Sequence, residues 1–196
     1  KNNSKKIIGE KEFIGNGVSY CATCDGFFTK GRITSVFGNG HEAVEEALFL
    51  TKHAKEINVF CDKDDLEVEA ELKEQLLSNE NVKLFTNAKL LEVLGNQYVE
   101  KVKIEIAGEI KEMESDFAFL YLGTKSNNEL YQGFAKLNDE GYIITDENMA
   151  CEVEGVWAAG DIRERTVRQV TTAVADGTLA GIEAIKYVMK KKRESK

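Results

Sequence analysis

The segment Ile33-Thr34-Ser35-Val36-Phe37-Gly38-Asn39-Gly40-His41-Glu42-Ala43 decides the fold of this 196-residue chain. It begins with a short β-rich run, which predicts a strand. The glycine turn that follows leads into residues 44–51, whose apolar periodicity predicts a helix. Residues 56–61 are again β-rich, which completes a strand–turn–helix–strand unit with parallel strands and a right-handed crossover. The sequence therefore indicates an α/β fold with a Rossmann-like nucleotide domain, whose Gly-x-Gly-x-x-Ala fingerprint is Gly38, Gly40 and Ala43.

The other elements are predicted from periodicity and turn residues. A second helix is expected over residues 66–77, which are rich in Glu, Lys and Leu. Turns at Gly95-Asn96 and Ala107-Gly108 separate β-rich runs that indicate a β-meander followed by a buried strand. These runs are residues 82–86, 90–94, 99–106, 110–113 and 117–122. In the last third, residues 142–145 and 156–159 are predicted as strands, and residues 169–189 as a helix.

The cysteine pair Cys21-Ala22-Thr23-Cys24 is the clearest chemical signal. Two cysteines three apart at the start of a helical turn can bridge, and the helix dipole and backbone N–H groups stabilise a thiolate there. Half of a zinc site is the alternative, but Cys61 and Cys151 are isolated and there are two histidines, so no metal site is predicted. Asp25 either transfers protons to the thiols or caps a helix.

Composition limits the classes of function. The hydrophobic content of 42% is enough for one large or two small cores. The net charge of −8 argues against nucleic acid as a partner, and the basic run at residues 190–193 is expected to be a solvated helix end. No apolar run approaches the length of a membrane span, and the first ten residues lack the apolar core of a signal peptide. A cytoplasmic protein with no membrane partner is therefore expected.

The residues Gly17-Val18-Ser19-Tyr20-Cys21-Ala22-Thr23-Cys24-Asp25-Gly26 resemble the active site of low-molecular-weight, flavin-dependent thioredoxin reductases. Residues 155–161, Gly-Val-Trp-Ala-Ala-Gly-Asp, with Arg168-Gln169-Val170 downstream, are a second resemblance to the same family. The resemblance implies a two-domain flavin disulfide reductase fold and a homodimer, in which electrons pass from flavin adenine dinucleotide (FAD) to thioredoxin. It also implies that Cys24 faces the flavin, that Cys21 attacks the partner's disulfide, and that Asp25 donates and accepts protons.

The same resemblance assigns the FAD-binding residues. Asp161, directly after Gly160, would bind the ribityl chain, and Arg168, Gln169 and Val170 would lie at a helix N-terminus facing the pyrimidine edge of the flavin. A helix N-terminus and an arginine both stabilise the negative charge of a reduced flavin. A strand that ends in a turn before a capped helix would explain the glycine and the aspartate, but not the Arg-Gln pair.

Three domain segments are expected. Residues 1–11 would be the tail of the FAD domain or a linker, residues 12–124 a nicotinamide-type domain with the cysteine pair, and residues 125–196 the C-terminal part of the FAD-binding domain. Residues 123–128 would be the hinge. In the resembled family a flavin fingerprint lies far upstream of the cysteine pair, so this chain is expected to be a fragment or to have an incomplete flavin site.

The missing upstream fingerprint leaves an alternative function open. In that alternative, the chain is a flavin-less redox module that docks thioredoxin through a persistent mixed disulfide. Phe13, Phe27 and Phe28 lie near the cysteines in the sequence. They form either a docking surface for the partner or a part of the core.

The charged residues near the Gly-x-Gly-x-x-Ala fingerprint indicate which electron donor the chain can bind. His41-Glu42 stand where the family usually has Asn or Asp followed by Ser or Thr, and a carboxylate there opposes the phosphates of a dinucleotide. Where NADPH users have arginines, residues 62–67 hold four acids and one lysine. Asp62, 22 residues after Gly40, fits a ribose 2′-hydroxyl, which is the NADH pattern. Reduced ferredoxin, the donor of the related ferredoxin-dependent flavin thioredoxin reductases, is favoured over NADH, and NADH over NADPH.

Overall fold

The computed structural model describes residues 7–123, 131 and 133–195. The chain divides into two compact units, residues 2–124 and residues 125–196. Residues 1–6 of the predicted N-terminal tail and residues 124–128 of the predicted hinge lie outside the described residues. Within the described ranges, no helix is both long enough and apolar enough to cross a bilayer.

The first unit combines helices with two sheets. Its strands are β1 (Val18–Ser19), β2 (Ile33–Phe37), β3 (Glu56–Phe60), β4 (Val82–Phe85), β5 (Ala88–Gly95), β6 (Val99–Ile106), β7 (Glu109–Glu114) and β8 (Phe117–Leu120). Its α-helices are α1 (Ala22–Asp25), α2 (His41–Leu50) and α3 (Ala70–Leu77), and the 3-10 helix Gly26–Thr29 follows α1. The predicted strand–turn–helix–strand unit is confirmed as β2, α2 and β3, with the two strands parallel.

The central sheet is parallel, in the strand order β1-β8-β2-β3-β4. Successive side chains of a strand point to opposite faces, so β2 places Val36 in one core and Phe37 in another. Val44 and Leu50 of α2 and Leu76 of α3 are buried in the first of these cores. The sheet therefore has helices over one face, as a parallel sheet with crossover helices requires.

The second core joins the parallel sheet to the antiparallel sheet β5-β6-β7. Val102 and Ile104 of β6 share this core with Phe37 and Phe60, whose stacked ring centroids are 4.8 Å apart. The hairpin between β6 and β7 turns at Ala107-Gly108, where φ is 50° and 86°. Positive φ at both positions matches the twist of a two-residue hairpin. The predicted meander is confirmed for β5, β6 and β7 with its second turn, whereas the run predicted at residues 82–86 forms β4 of the parallel sheet.

Helix α3 begins at Ala70, four residues later than the sequence predicts. Leu66 is buried in the core, and the Glu67 N–H donates to the Asn39 carbonyl oxygen at 2.8 Å. The segment before Ala70 is therefore held by the core and by the glycine turn, and it does not continue α3 towards the N-terminus. Helix periodicity in the sequence does not report such a tertiary contact.

The second unit contains the 3-10 helix Gly160–Ile162 and helix α4 (Val170–Glu194). The strands predicted at residues 142–145 and 156–159 are wrong, because the described residues of these runs form isolated bridges, at Ile143 and at Trp157. A β-rich run forms a strand only when a neighbouring segment makes a continuous series of backbone hydrogen bonds with it. Helix α4 continues five residues past its predicted end. The basic run at residues 190–193 lies in its last turns, where the negative end of the helix dipole stabilises positive side chains.

Candidate functional site

The cysteine pair lies at the start of α1. Cys21 is the N-cap residue, and its sulfur accepts the Cys24 N–H at 3.1 Å. The two cysteines form a disulfide with Cα atoms 5.3 Å apart; Cys24 is exposed and Cys21 is half-buried. An N–H bond to the sulfur favours its thiolate after reduction. Among the described residues, no group of three or more His, Cys, Asp or Glu side chains could hold a metal ion.

A hydrogen-bonded acid lies beside the disulfide. The hydroxyl of buried Ser19 donates to Asp25 Oδ2 at 2.6 Å, and the Ser19 Oγ itself accepts the Cys21 N–H at 3.2 Å. Asp25 is the N-cap of the following 3-10 helix, but its side chain makes no capping hydrogen bond there. Ser19 therefore fixes the carboxyl of Asp25 relative to the backbone of Cys21, an arrangement suited to proton transfer.

A second carboxylate reaches the same turn from α2. Glu46 Oε2 accepts the Ala22 N–H at 2.7 Å and the Thr23 N–H at 3.2 Å. The hydroxyl of Tyr121 also accepts the Ala22 N–H, at 3.1 Å, and donates to Glu46 at 3.3 Å. Burial and the charge of Glu46 raise the pKa of Tyr121 above its ordinary value, so the phenol stays neutral. Side chains from β1, from α2 and from the segment after β8 thus contact the cysteine turn.

The other aromatic and cysteine side chains considered in the sequence analysis differ in their exposure to solvent. Phe13 is buried in the core, whereas Phe27 and Phe28, next to α1, are 69% and 66% exposed. Cys61 is buried and Cys151 half-buried, and burial raises the pKa of both thiols. A raised pKa disfavours the thiolate, so neither thiol is suited to nucleophilic attack.

The fingerprint turn opens onto a cleft of about 940 Å³ in the first unit. A Cβ atom on Gly38 would lie 2.7 Å from the Ala43 Cβ and 2.7 Å from the Tyr121 carbonyl oxygen. The turn therefore requires glycine and a small residue at these two positions. Gly40, the N-cap of α2, has open space around it. This shape is that of a dinucleotide-binding turn.

The charges of this cleft oppose a phosphate group. Its acidic and basic lining residues are Glu42, Asp62, Glu67, Glu105, Lys89 and His41. Asp62 and Asn39 bond reciprocally, from Asn39 Nδ2 to Asp62 Oδ1 at 2.6 Å and from the Asp62 N–H to Asn39 Oδ1 at 3.1 Å. His41 pairs with Glu69 at 2.5 Å, and Lys63 pairs with Glu67. The side chains of His41 and Lys63 near the turn are thus already paired with acids.

The predicted FAD residues of the second unit lie around the start of α4. Gly160 has a φ of +78°, and a Cβ there would lie 3.4 Å from the Ala173 Cβ, so the 3-10 helix packs against the first turns of α4. Asp161, the next residue, is exposed. Gly160 is therefore favoured by its backbone conformation, whereas the helix leaves ordinary van der Waals distance for a Cβ atom.

The first turn of α4 supplies further groups. Gln169 is the N-cap and forms a capping box with Thr172. The Arg168 guanidinium lies 4.2 Å from the centroid of the Tyr142 ring, and Val170 is 80% exposed. An exposed carboxylate, a helix N-terminus, a cation and an open apolar side chain match the hydroxyl, carbonyl and ring groups of a flavin. These residues fit one wall of a flavin site.

A buried acid, Asp176, holds this arrangement together and is not apparent from the sequence. Its Oδ2 accepts the Gly160 N–H at 3.1 Å, Arg163 Nε at 2.8 Å and Arg165 Nη1 at 2.7 Å. Burial alone would raise the pKa of Asp176, but the bonds from Arg163 and Gly160 and the two guanidinium charges outweigh it and lower the pKa. Asp176 thereby ties the Gly160 segment to α4.

We expect Asp176→Asn to lower the free energy of unfolding of the second unit by about 3 kcal/mol, because it leaves two guanidinium groups without their buried partner. Trp157, the chain's one tryptophan, lies in this unit, so its fluorescence during urea unfolding measures the loss. Since the folded-state pKa is lowered, the stabilisation is present at neutral pH and is lost as the pH falls through that pKa.

The matched control for this prediction is Asp139→Asn, which removes an exposed carboxylate from the same unit. It is expected to change the free energy of unfolding by less than about 0.5 kcal/mol. Equal unfolding curves for the two variants would contradict the role of Asp176.

Comparison with known proteins identifies relatives of this chain. The pyridine nucleotide-disulphide oxidoreductase family matches residues 1–177. A thioredoxin reductase of Peptoclostridium litorale is 41% identical over 188 residues, which cover 92% of this chain and 60% of that protein. The structure of thioredoxin reductase from Streptococcus pyogenes MGAS5005 superposes with a TM-score of 0.89 at 34% identity, covering 97% of this chain and 63% of that one. A ferredoxin-flavin thioredoxin reductase from Clostridium acetobutylicum gives 0.51 at 27% identity, covering 96% and 61%.

The matches extend over nearly the whole chain. They include the cysteine pair, the fingerprint turn and the Gly160 segment, and the α/β fold with its parallel sheet is that of the solved thioredoxin reductases. The chain spans about 60% of the length of the curated relatives that it matches. On this evidence, the chain belongs to the pyridine nucleotide-disulphide oxidoreductase family.

Proposed function

We propose that this chain carries the dithiol of a flavin-dependent thioredoxin reductase, in which Cys21 and Cys24 pass two electrons from FAD to the disulfide of thioredoxin. The observation that carries the proposal is the disulfide at the start of α1, in which Cys24 is exposed, with Asp25 hydrogen-bonded to Ser19 beside it. Thioredoxin reductases among the relatives support the same substrate class. The homodimer and the cytoplasmic location stay predictions.

The proposed transfer balances in two exchange steps. Asp25 takes the proton of the Cys21 thiol, and the Cys21 thiolate attacks one sulfur of thioredoxin. The partner's S–S bond breaks as the mixed disulfide forms, and the leaving thiolate takes the proton from Asp25. Cys24 then loses its proton by the same route and attacks the Cys21 sulfur, which releases the second partner thiol. Two electrons and two protons have passed to thioredoxin, and the Cys21–Cys24 bond is restored.

The geometry supports these roles for the residues of the turn. The Cys24 N–H donates to the Cys21 sulfur, which favours the Cys21 thiolate as the attacking group. Ser19 donates to Asp25 and so holds the carboxyl in place for both proton transfers. Cys24 is the more exposed residue of the pair, which supports its assignment as the cysteine that a reducing group approaches.

The proposed FAD wall consists of Gly160, Asp161, Arg168, Gln169 and Val170. When bound, FAD supplies the two electrons that reduce the Cys21–Cys24 disulfide. Asp161 would accept hydrogen bonds from hydroxyl groups of the ribityl chain. Arg168 and the N-terminus of α4 would offset negative charge at the flavin edge, and Val170 would cover an apolar part of the ring.

Phe27 and Phe28 are proposed to dock thioredoxin. Both rings are largely exposed and make an edge contact with centroids 6.4 Å apart, directly after the turn that carries Cys24. Exposed aromatic side chains of this kind form the energetic centres of many protein interfaces. Their place beside the disulfide would bring the partner's sulfurs to the cysteines.

Reduced ferredoxin is the proposed donor, ahead of NADH and NADPH. The acids of the cleft support this order, since Glu42, Asp62 and Glu67 face the space where a dinucleotide's phosphates and ribose would lie. A solved ferredoxin-flavin thioredoxin reductase among the structural relatives supports the same donor class. The bond from Asn39 to Asp62 weakens the case for NADH, because it occupies one oxygen of the carboxylate proposed for the ribose.

Flavin content and dithiol transfer test the proposal together. Protein isolated from its native cells is expected to be yellow, and the reduced protein is expected to reduce one thioredoxin disulfide per chain. A colourless protein that only forms a mixed disulfide would favour the flavin-less module. Failure to reduce or to bond thioredoxin would overturn both functions.

A further inference from the structure

The first N–H groups of α1 are bonded to a carboxylate of the protein itself. At the start of a helix, such N–H groups carry partial positive charge and lower the pKa of a nearby thiol. Here the N–H groups of Ala22 and Thr23, which lie between the two cysteines, donate to Glu46 Oε2 at 2.7 and 3.2 Å. The negative charge of Glu46 therefore offsets the field that would otherwise favour a thiolate at Cys21 or Cys24.

The position of this carboxylate is fixed on two sides. Ala47 and Leu50 of α2 are fully buried in the core, so the helix cannot shift easily. The Tyr121 hydroxyl donates to Glu46 at 3.3 Å and accepts the Ala22 N–H at 3.1 Å. A buried, neutral tyrosine thus holds the carboxylate against the cysteine turn.

We propose that Glu46 is a positioning residue whose negative charge, held at the turn between Cys21 and Cys24 by its hydrogen bonds, sets the reducing power of this pair. The inference rests on the proposed function, since it concerns the same dithiol. The titratable groups at the turn are Asp25 on α1, Glu46 on α2 and Tyr121 after β8, and the charge of Glu42 acts on Tyr121.

An acidic surrounding suits a dithiol that gives electrons away. Carboxylates disfavour the thiolate, and a dithiol whose reduced form is less stabilised is the stronger reductant. A cysteine pair with a strongly stabilised thiolate acts instead as an oxidant. Glu46 therefore biases the pair towards donating electrons to another protein's disulfide.

The experiment replaces Glu46 with glutamine, which keeps an oxygen acceptor for the two N–H groups but removes the charge. Two quantities are measured on the full chain: the pH dependence of thiol alkylation and the dithiol–disulfide equilibrium with glutathione. The variant is expected to have a lower thiol pKa. Its equilibrium is expected to shift about tenfold towards the dithiol, which equals about 30 mV. Glu45→Gln, an exposed neighbour on α2, carries the same charge change and is expected to shift neither quantity.

Unchanged values in Glu46→Gln, or equal shifts in Glu45→Gln, would overturn the inference. Glu46→Ala is the second variant, and it is also expected to lower the thiol pKa because the charge is lost. If neither Glu46 variant keeps the circular dichroism spectrum of the parent, the residue serves folding and the inference falls. Neither measurement uses flavin or thioredoxin, so a failure of the proposed function would show separately, as a parent dithiol that does not reduce thioredoxin.

Discussion

Replacing Cys21 with serine is expected to slow electron transfer to a thioredoxin disulfide by about a thousandfold or more. A serine hydroxyl is a far weaker nucleophile than a thiolate, and it cannot close a disulfide with Cys24. The measurement is the rate of thioredoxin reduction by flavin-loaded protein, with the flavin's own reduction followed separately. Flavin reduction is expected to be unchanged, because Cys21 is not among the proposed flavin contacts. Survival of thioredoxin turnover would remove Cys21 from the mechanism.

The companion variant Cys24→Ser separates attack from resolution. With Cys21 intact and no second thiol to release the partner, a mixed disulfide with thioredoxin is expected to persist, and mass spectrometry detects it as a one-to-one adduct. Cys151→Ser is the control, since that half-buried thiol has a raised pKa and takes no part in the exchange. An adduct in Cys21→Ser, and none in Cys24→Ser, would reverse the assigned roles.

Local signals in the sequence were sufficient where neighbouring residues decide the structure. Strand β2 and the turn at Ala107-Gly108 were predicted correctly, because β-rich runs and turn residues act within a few positions. Helix α3 was predicted to start too early, since the contact of Glu67 with Asn39 is tertiary. The runs at residues 142–145 and 156–159 have strand composition, but composition does not tell whether a neighbouring strand will pair with them.

The residues that organise the two sites were harder to find. The spacing of Cys21 and Cys24 is enough to identify them in the sequence. Glu46 and Tyr121 both accept the Ala22 N–H, but they lie 24 and 99 residues away from it along the chain. Asp176 likewise lies 16 residues from Gly160, in the second turn of α4, and an acid within a helix normally indicates a solvated face. Such residues become visible only once the fold brings their elements together.

Replacing Asp62 and Glu67 together with arginine is expected to tighten NADPH binding by about a hundredfold. Both carboxylates line the cleft, and a guanidinium fork matches a phosphate where a carboxylate repels it. One hydrogen bond to a charged group contributes about 1.5–3 kcal/mol, so two such replacements readily supply the factor. NADH, which has no 2′-phosphate, is expected to gain far less. Calorimetric titration of each nucleotide into the parent and the variant measures the difference.

The matched control is the pair Asp64→Arg and Glu45→Arg, which changes the net charge equally at positions that do not line the cleft. If the control tightens NADPH binding as much as the cleft variant, the gain comes from overall charge, and the local argument fails. The unsubstituted protein also tests the proposed order of electron donors. Rapid bleaching of its flavin by micromolar NADPH would show that the acids around the turn do not exclude the phosphate, and the proposed preference for ferredoxin would lose its physical basis.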